Sequence, residues 1–386
     1  MLNHASADNL FKSLDRVEFG SVELTTPDGH TRVFEGRNNG PRARVSLQDW
    51  RAIRNLAFGG DIAFAEDYRK GLWETDNLED LMTFALANDR AMNSYLHGSR
   101  LMQLGARLAY LLRRNTKGGS RRNIHAHYDL GNSFYRLWLD GGMSYSSAIY
   151  KNGDESLTQA QNNKYDRILD CMQATSGRVL EIGCGWGAFA ERALERGDYA
   201  IKGITISNEQ HEYASGRLNN QAHIALEDYR DQSGKFDSIV SIEMFEAVGE
   251  RYWPVYFGKI RELLNKGGRA IVQTITIDEG HFERYRKGGD LIRSFVFPGG
   301  MLPSEPRFEA AAASQGLRAS NSHFFGQDYA RTLEEWLKNF DSARDKVLAQ
   351  GFDAEFIRLW RLYLAACIAG FRTGRTNVMQ IELTHA

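Results

Sequence analysis

Residues 179–187, VLEIGCGWG, followed by AFAERAL, are the stretch that decides the fold of this chain. A short apolar run ending in an acid, then three glycines and a helical pattern, predict a β-strand, a tight turn and the start of a helix. Gly183, Gly185 and Gly187 let the turn form without Cβ clashes, and the first N–H groups of the helix face the crevice at the carboxyl end of the strand. We therefore expect a ligand in this crevice.

The spacing of the glycines indicates which ligand binds. It is GxGxG with Glu181 two residues ahead, whereas a dinucleotide site uses GxGxxG to seat a pyrophosphate. The pattern predicts S-adenosylmethionine, with Glu181 holding its α-amino group or orienting the loop, and with the glycines admitting its methionine part. The alternative is a glycine-rich turn that serves packing alone.

Composition bounds the class of protein. The 386 residues suffice for a large core and two domains, and 48 basic against 49 acidic residues leave a net charge of -1. This balance argues against nucleic-acid binding as the main function. Cys171, Cys184 and Cys367 lack the spacing of metal ligands, which argues against a zinc site or a disulfide framework. With neither a signal-peptide pattern nor an apolar run of about 18 residues, we expect a cytoplasmic protein without a membrane span.

Residues 1–98 predict a small α+β domain. Residues 17–34 alternate apolar and polar side chains around a Pro27-Asp28-Gly29 turn, which is typical of a β-hairpin, and a helical stretch begins at Ser46. No catalytic constellation is visible here. The domain is expected to be a structural or dimerising cap, or to gather substrate.

Residues 99–122 predict a basic amphipathic helix and linker. Between 100 and 122 there are seven basic residues and no acid, with leucines at helical spacing. Such a helix lies on an anionic membrane surface, where each cation near the headgroups contributes roughly 1 kcal/mol, or it joins domains and exposes its basic face to water.

From residue 123 the sequence alternates strands and helices. Strands are predicted at 178–182, 200–206, 238–242 and 269–277, and helices at 188–196, 208–220, 252–264, 329–340 and 356–371. This alternation requires parallel strands with helices on both faces of the sheet, which is an α/β fold. One domain is expected over 123–386, with an aromatic and glycine-containing insertion near 281–306.

The chain resembles the cyclopropane-fatty-acid synthase family, which includes the mycolic acid methyltransferases. The resemblance implies a seven-stranded Rossmann-like fold, S-adenosylmethionine as cofactor, a phospholipid with an unsaturated acyl chain as substrate, a lipid site at 281–306 and a homodimer. The segments that carry it are HAHYDLGNSFYRLWLD (125–140), MSYSSAIY (143–150), VLEIGCGWG (179–187), GITISNEQ (203–210), MFEAVGERYW (244–253), SFVFPGGMLPS (294–304), FGQDYARTLEEW (325–336) and YLAACIAGFR (363–372).

The resemblance also implies which residues contact the cofactor. Neutral polar groups of GITISNEQ stand where most methyltransferases place an acid for the ribose, and two residues of ALEDY flank the adenine. Thr205 is otherwise an ordinary strand residue, and Gln210 a surface helix residue. The full set is Tyr145, Ser146, Leu180, Glu181, Gly183, Cys184, Gly185, Gly187, Thr205, Ile206, Ser207, Gln210, Leu226 and Glu227.

A cis alkene is a weak nucleophile, so we expect catalysis to depend on positioning it in a dry cavity. Methyl transfer leaves a carbocation, which aromatic faces stabilise and which then loses a proton. By resemblance the proton goes to a bound bicarbonate, held here by Glu246, Tyr329 and the backbone of Ile275. Ser147 replaces the family's cysteine and Gln273 its histidine. Both can form hydrogen bonds, so either bicarbonate binds with altered geometry or the proton acceptor has changed.

Further candidates have two interpretations each. Glu246 grips the anion or is itself the base, unless it is a structural carboxylate paired with Arg251. Cys367 is catalytic, or a small buried hydrophobic residue on an apolar helix stripe. His127 is a base or a structural histidine.

We expect an enzyme that adds a one-carbon unit to the acyl double bond of a phospholipid at the inner face of the membrane. Closure of a cyclopropane ring is favoured over a methyl or methylene branch. The alternatives are an enzyme acting on a soluble small molecule, and a catalytically silent lipid-binding relative in which Ser147 and Gln273 disable the base.

Overall fold

The computed structural model describes residues 2–97 and 130–386, which form two compact units. Unit 1 combines the described residues up to 97 with Glu283–Pro298 and Phe340–Arg375. Unit 2 combines the described residues from 130 to 282 with Gly299–Asn339 and Thr376–Ala386. The predicted basic helix at 99–122 and His127 lie outside the described residues.

The described residues form fifteen α-helices and eleven strands. The helices are α1 Leu2–Leu14, α2 Arg51–Arg69, α3 Leu78–Ala87, α4 Asp89–His97, α5 Asn132–Tyr135, α6 Leu157–Met172, α7 Ala188–Arg196, α8 Asn208–Leu218, α9 Trp253–Leu263, α10 Glu279–Lys287, α11 Leu291–Phe295, α12 Glu305–Ser314, α13 Gly326–Ser342, α14 Arg344–Ala349 and α15 Ala354–Arg372. The strands are β1 Phe19–Thr25, β2 Thr31–Glu35, β3 Asn38–Leu47, β4 Trp73–Glu74, β5 Ser176–Ile182, β6 Asp198–Thr205, β7 His223–Leu226, β8 Phe236–Ile242, β9 Leu264–Ile277, β10 Leu317–Phe324 and β11 Thr376–His385.

Unit 1 contains a four-stranded sheet in the order β2-β1-β3-β4. The predicted hairpin is confirmed, because β1 and β2 pair antiparallel on either side of the Pro27-Asp28-Gly29 turn. The helix expected at Ser46 begins only at Arg51, since Ser46 and Leu47 pair with β4 and therefore stay extended. None of the helices described in residues 2–97 and 130–386 is long and apolar enough to cross a membrane.

Two later segments also belong to unit 1, although the sequence prediction placed them in the domain at 123–386. Segments 283–298 and 340–375 contribute apolar side chains to the core of the N-terminal residues. Leu291 of α11 and Leu362 and Ala369 of α15 are buried there. The grouping follows from tertiary packing of these helices, which no local pattern specifies.

Unit 2 is built on a seven-stranded sheet in the order β10-β11-β9-β8-β5-β6-β7. The five strands from β9 to β7 in this order are parallel to their neighbours, and β11 and β10 continue the sheet antiparallel. The apolar end of β5 is buried, and Phe189 and Ala193 of α7 pack into the same core. Burial of such a Phe contributes about 1.5–3 kcal/mol.

The order of the strands fixes where a ligand can bind. After β5 the chain builds β6 and β7 on one side and then returns to build β8 on the other. The connections at the carboxyl ends of β5 and β8 therefore diverge, which opens the crevice in which α/β sheets bind their ligands.

Candidate active site

The glycine turn after β5 lies at this crevice. All three glycines have left-handed backbone, with φ of +82° at Gly183, +52° at Gly185 and +86° at Gly187. The N–H groups of Gly183 and Cys184 donate to the carbonyl of Ile204, at 2.9 and 3.0 Å, and so fasten the turn to β6. A turn with this backbone excludes most side chains.

The glycines differ in what surrounds them. A Cβ on Gly183 would approach Cγ of Met244 to 2.8 Å, whereas a Cβ on Gly185 would meet no atom within 4 Å. Gly183 is therefore needed for close packing, and Gly185 leaves open space beside the turn. This space is where a ligand can approach the backbone.

Glu181, at the end of β5, carries a buried atom without a hydrogen-bond partner. The residue is 3% exposed, and its Oε2 has no partner among the described residues. Burial raises the pKa of Glu181 to about 8, partly offset by Lys164. A ligand ammonium would supply the missing donor, so the residues present fit the amino acid part of S-adenosylmethionine.

The end of β6 carries three buried polar side chains from the GITISNEQ segment. The Thr205 hydroxyl donates to Oε1 of Gln210 at 2.8 Å, and the Ser207 hydroxyl accepts from the backbone N–H of Gln210 at 3.3 Å as the N-cap of α8. Gln210 is 6% exposed, so it is not a surface residue. Ile206 between them is half-buried.

At the end of β7, Leu226 is 43% exposed and offers an apolar surface. Glu227 is engaged elsewhere, since its Oε2 accepts from Lys202 and from Gln232, both at 2.7 Å. Leu226 therefore offers exposed apolar surface to a ligand, whereas Oε2 of Glu227 is already engaged by two donors of the protein.

A buried lysine adjoins the segment 143–150. Lys164 of α6 is fully buried, and its Nζ donates to the hydroxyl of Ser146 and to Oε1 of Gln161, both at 2.6 Å. Burial lowers the pKa of Lys164 to about 8, against the attraction of Glu243 and two other acids. Sequence reasoning missed Lys164, because its burial depends on packing against a distant segment.

The residues predicted to hold bicarbonate surround a second carboxylate that sequence reasoning also missed. Oε1 of Glu243 accepts from the backbone N–H of Ser147 at 2.8 Å and from Nε2 of Gln273 at 2.7 Å. Its Oε2 accepts from the hydroxyl of Tyr329 at 2.6 Å. Glu243 has a φ of +49°, which is unusual for a residue with a side chain. The available signal was its position directly after the buried strand β8.

Glu246 lies in the 3-10 turn that follows, Phe245–Ala247. Its Oε1 accepts from the hydroxyl of Thr274 at 2.9 Å and from the backbone N–H of Ile275. Its Oε2 is buried without a partner among the described residues. Burial, reinforced by Glu243, raises the pKa of Glu246 to about 8. The alternative of a pair with Arg251 is wrong, because Arg251 is exposed and Glu246 bonds to β9 instead.

A row of aromatic rings runs from Tyr145, a predicted cofactor residue, to Tyr329, which donates to Glu243. The ring centroids of Tyr145 and Trp336 are 5.3 Å apart, and those of Trp336 and Tyr329 are 6.1 Å apart. Trp138 packs against Tyr145 and Trp336 at 5.5 and 5.6 Å. The predicted cofactor residue Tyr145 is thus joined by rings to the tyrosine that holds Glu243.

Two cysteines were predicted as site residues. Cys184 is buried inside the glycine turn, and burial raises the pKa of its thiol. Cys367 belongs to α15 of unit 1, where burial also raises the pKa of its thiol. Among the described residues no group of acids, histidines and cysteines could hold a metal ion.

A seven-stranded α/β sheet with a glycine turn at its central crevice and an acid ending the central strand defines an S-adenosylmethionine-dependent methyltransferase. The family described as "Mycolic acid cyclopropane synthetase" matches residues 115–381. The chain therefore belongs to the mycolic acid cyclopropane synthetase family.

Relatives and solved structures agree with this assignment. The chain is 36% identical over 345 residues to the tuberculostearic acid methyltransferase of Mycobacterium tuberculosis, covering 86% of this chain and 80% of that protein. It is 33% identical over 351 residues to the cyclopropane-fatty-acyl-phospholipid synthase of Escherichia coli, covering 89% and 88%. The structure of mycolic acid cyclopropane synthase CmaA1 complexed with SAH and CTAB matches with a TM-score of 0.64 and 29% identity, over 68% of this chain and 97% of that one.

Proposed function

We propose that this methyltransferase adds a one-carbon unit to the double bond of an unsaturated fatty acyl chain of a phospholipid and closes a cyclopropane ring. The observation that carries the proposal is the row of rings from Tyr145 through Trp336 to Tyr329, which ends at the buried carboxylate of Glu243. Apolar, electron-rich faces would then lie between the proposed cofactor segment and a buried carboxylate. This is what alkylation of an uncharged alkene requires.

The cofactor site is assigned to the glycine turn and the ends of β5, β6 and β7. S-adenosylmethionine supplies an electrophilic methyl group on its sulfonium. Glu181 would hold the ligand's ammonium, and Gly185 would leave room for its methionine chain. Thr205 and Gln210 would face the ribose, and Leu226 would cover the adenine.

The aromatic side chains would act after the methyl group has moved. A cation within about 6 Å of a ring face is stabilised by roughly 0.5–2 kcal/mol, more where water is excluded. Trp138 and Trp336 are fully buried, and Tyr329 is 6% exposed. Such a wall would stabilise positive charge on the acyl chain and keep water from adding to it.

The lipid substrate is supported by the relatives, one of which is named for a fatty-acyl-phospholipid and another for tuberculostearic acid. Peripheral binding at the inner face of the membrane, a cytoplasmic location and a homodimer remain predictions from sequence. A second candidate product is a methyl- or methylene-branched acyl chain, favoured by the 36% identity to the tuberculostearic acid methyltransferase.

Mass spectrometry of lipids from a host that expresses the protein and is fed methionine with a trideuterated methyl group tests the proposal. We expect phospholipid acyl chains with two retained deuterium atoms, because one of the three is lost from the transferred carbon as a deuteron. Hydrogenation then separates a ring from a methylene group, and three deuterium atoms would indicate a methyl branch. Absence of labelled acyl chains, with an empty-vector host as control, would refute the function. Transfer to small soluble acceptors but not to vesicles of unsaturated phospholipid would assign a soluble substrate.

A further inference from the structure

Glu243 occupies the centre of the group of residues that was predicted to bind an anion. We propose that its carboxylate is the base that takes the proton after methyl transfer, in place of bicarbonate. This inference rests on the proposed function and names the residue that completes the reaction.

The donors predicted for bicarbonate already have acceptors within the protein. The single O–H of Tyr329 and the backbone N–H of Ser147 both donate to Glu243. The Ser147 hydroxyl donates to the carbonyl of Ala148 at 3.0 Å, and the backbone N–H of Ile275 donates to Glu246. A small anion in this place would have to displace an acceptor that is covalently part of the chain. A carboxylate that is already present costs no binding entropy.

A chain of amides fixes which end of Gln273 faces the carboxylate. Arg167 has only donors, and its Nη1 donates to Oε1 of Gln380 at 2.8 Å. Nε2 of Gln380 must therefore point the other way, and it donates to Oε1 of Gln273 at 2.9 Å. This leaves Nε2 of Gln273 to donate to Glu243. Gln273 and Gln380 are fully buried, so water does not compete for the hydrogen bonds that fix this orientation.

The surroundings favour charge on Glu243 rather than on Glu246. Burial raises the pKa of Glu243, and the contacts of Tyr329 and Ser147 and the charge of Lys164 limit this rise. Glu246 has the weaker set of donors and a pKa of about 8, so it keeps its proton near neutral pH. Glu243 and Glu246 can then be buried near each other, because only Glu243 carries a charge.

The proton transfer balances without any further reactant. An oxygen of Glu243 takes a proton from the transferred carbon, and that C–H bond breaks. The electron pair of the bond forms a new C–C bond to the neighbouring cationic carbon and closes the ring. Glu243 becomes a neutral carboxylic acid, which releases the proton to solvent before the next turnover.

Glu243→Gly and Glu243→Gln test the role of the side chain. With φ at +49° a glycine fits this backbone better than glutamate does, so Glu243→Gly is expected to fold. We expect kcat to fall about 10²–10⁴-fold in both variants, the usual contribution of a general base, with little change in the KM for S-adenosylmethionine. Formate or bicarbonate should restore turnover to Glu243→Gly but not to Glu243→Gln, whose amide still fills the space.

Asn219→Gly is the matched control, because it places the same substitution at a left-handed residue, with φ of +45°, at the exposed C-terminus of α8. It should keep wild-type turnover. Turnover within a few fold of wild type in Glu243→Gln would overturn the proposal. So would loss of turnover in Glu243→Gly without rescue by either anion, since that pattern fits a structural role.

Binding of ¹³C-bicarbonate, followed by NMR in the presence of S-adenosylhomocysteine, tests the same inference without turnover. We expect no binding to the wild type and binding to Glu243→Gly. Bicarbonate binding to the wild type, or activation of bicarbonate-depleted wild type, would overturn the role of Glu243. Failure of the wild type to label unsaturated phospholipid would instead refute the proposed function, and the NMR comparison would still decide whether Glu243 fills the anion site.

Discussion

Replacing Gly183 and Gly185 of the turn by alanine, one at a time, separates the effect of packing on stability from the effect of the turn on ligand affinity. At Gly185 an alanine meets no atom within 4 Å, so its cost is the left-handed backbone alone, about 1–2 kcal/mol. At Gly183 the same cost is joined by contacts of 2.8 and 3.0 Å with Met244, and overpacking of this kind adds roughly 1–3 kcal/mol. We therefore expect Gly183→Ala to be destabilised by about 2–5 kcal/mol.

The affinity for the ligand should respond differently from the stability, because it depends on the open space beside Gly185. In Gly185→Ala the new methyl group fills space at the crevice, so we expect the Kd for S-adenosylhomocysteine to rise at least tenfold, about 1.4 kcal/mol, in a protein that is only mildly destabilised. Urea unfolding gives the stability, and isothermal titration calorimetry gives the affinity of each variant.

Gly267→Ala is the control for the backbone cost. Gly267 has φ of +81° and no atom within 4 Å of an added Cβ, and it lies near the start of β9, away from the carboxyl ends of the strands. It should lose stability like Gly185→Ala and keep its affinity. Unchanged affinity in Gly185→Ala would mean that the ligand does not approach the turn there, and the cofactor assignment would fail.

Two further predictions concern the buried polar groups. Glu181 and Glu246 have a pKa of about 8 in the folded protein against 4.5 as the ordinary value, so the folded state binds more protons and their contribution to stability falls as pH rises from about 4.5 to 8. Urea unfolding between pH 5 and 8 should show a shallower fall for Glu181→Gln than for the wild type, by up to about 1.4 kcal/mol per pH unit; equal slopes would contradict the raised pKa. Gln380→Met removes the donor that orients Gln273, and we expect kcat to fall about tenfold, with the KM for S-adenosylmethionine unchanged, because one charged hydrogen bond contributes roughly 1.5–3 kcal/mol. A wild-type kcat in folded Gln380→Met would exclude this positioning role.

The sequence predicts the central part of the fold because local patterns determine it. Helix α7 begins and ends where its apolar spacing indicates, at 188 and 196, and β5 ends at Ile182 directly before the glycines. Strand β10 was not predicted, since most of its side chains are exposed or half-buried and it is held by pairing with β11. The antiparallel direction of β11 depends on a partner, β9, that is distant in sequence.

The candidate site could be predicted only where a motif marks it. Ser147, Gln273 and Tyr329 were expected near one another, and the structure places all three around one carboxylate. The identity of that carboxylate could not be read from the sequence, because Glu246 was the acid in the matched motif. Lys164 sits among polar residues in TQAQNNKYD and so has the pattern of an exposed lysine, although it is fully buried.

The backbone of Glu243 has an evolutionary consequence. A residue that the chain holds at φ of +49° is one that glycine could replace with less strain, and the codons of glycine and glutamate can differ by a single nucleotide. Under the proposal that Glu243 is the base, a lineage could pass between a proton acceptor borrowed from dissolved carbon dioxide and one encoded in the gene through one point mutation. The ambient supply of that gas would then set which form natural selection retains.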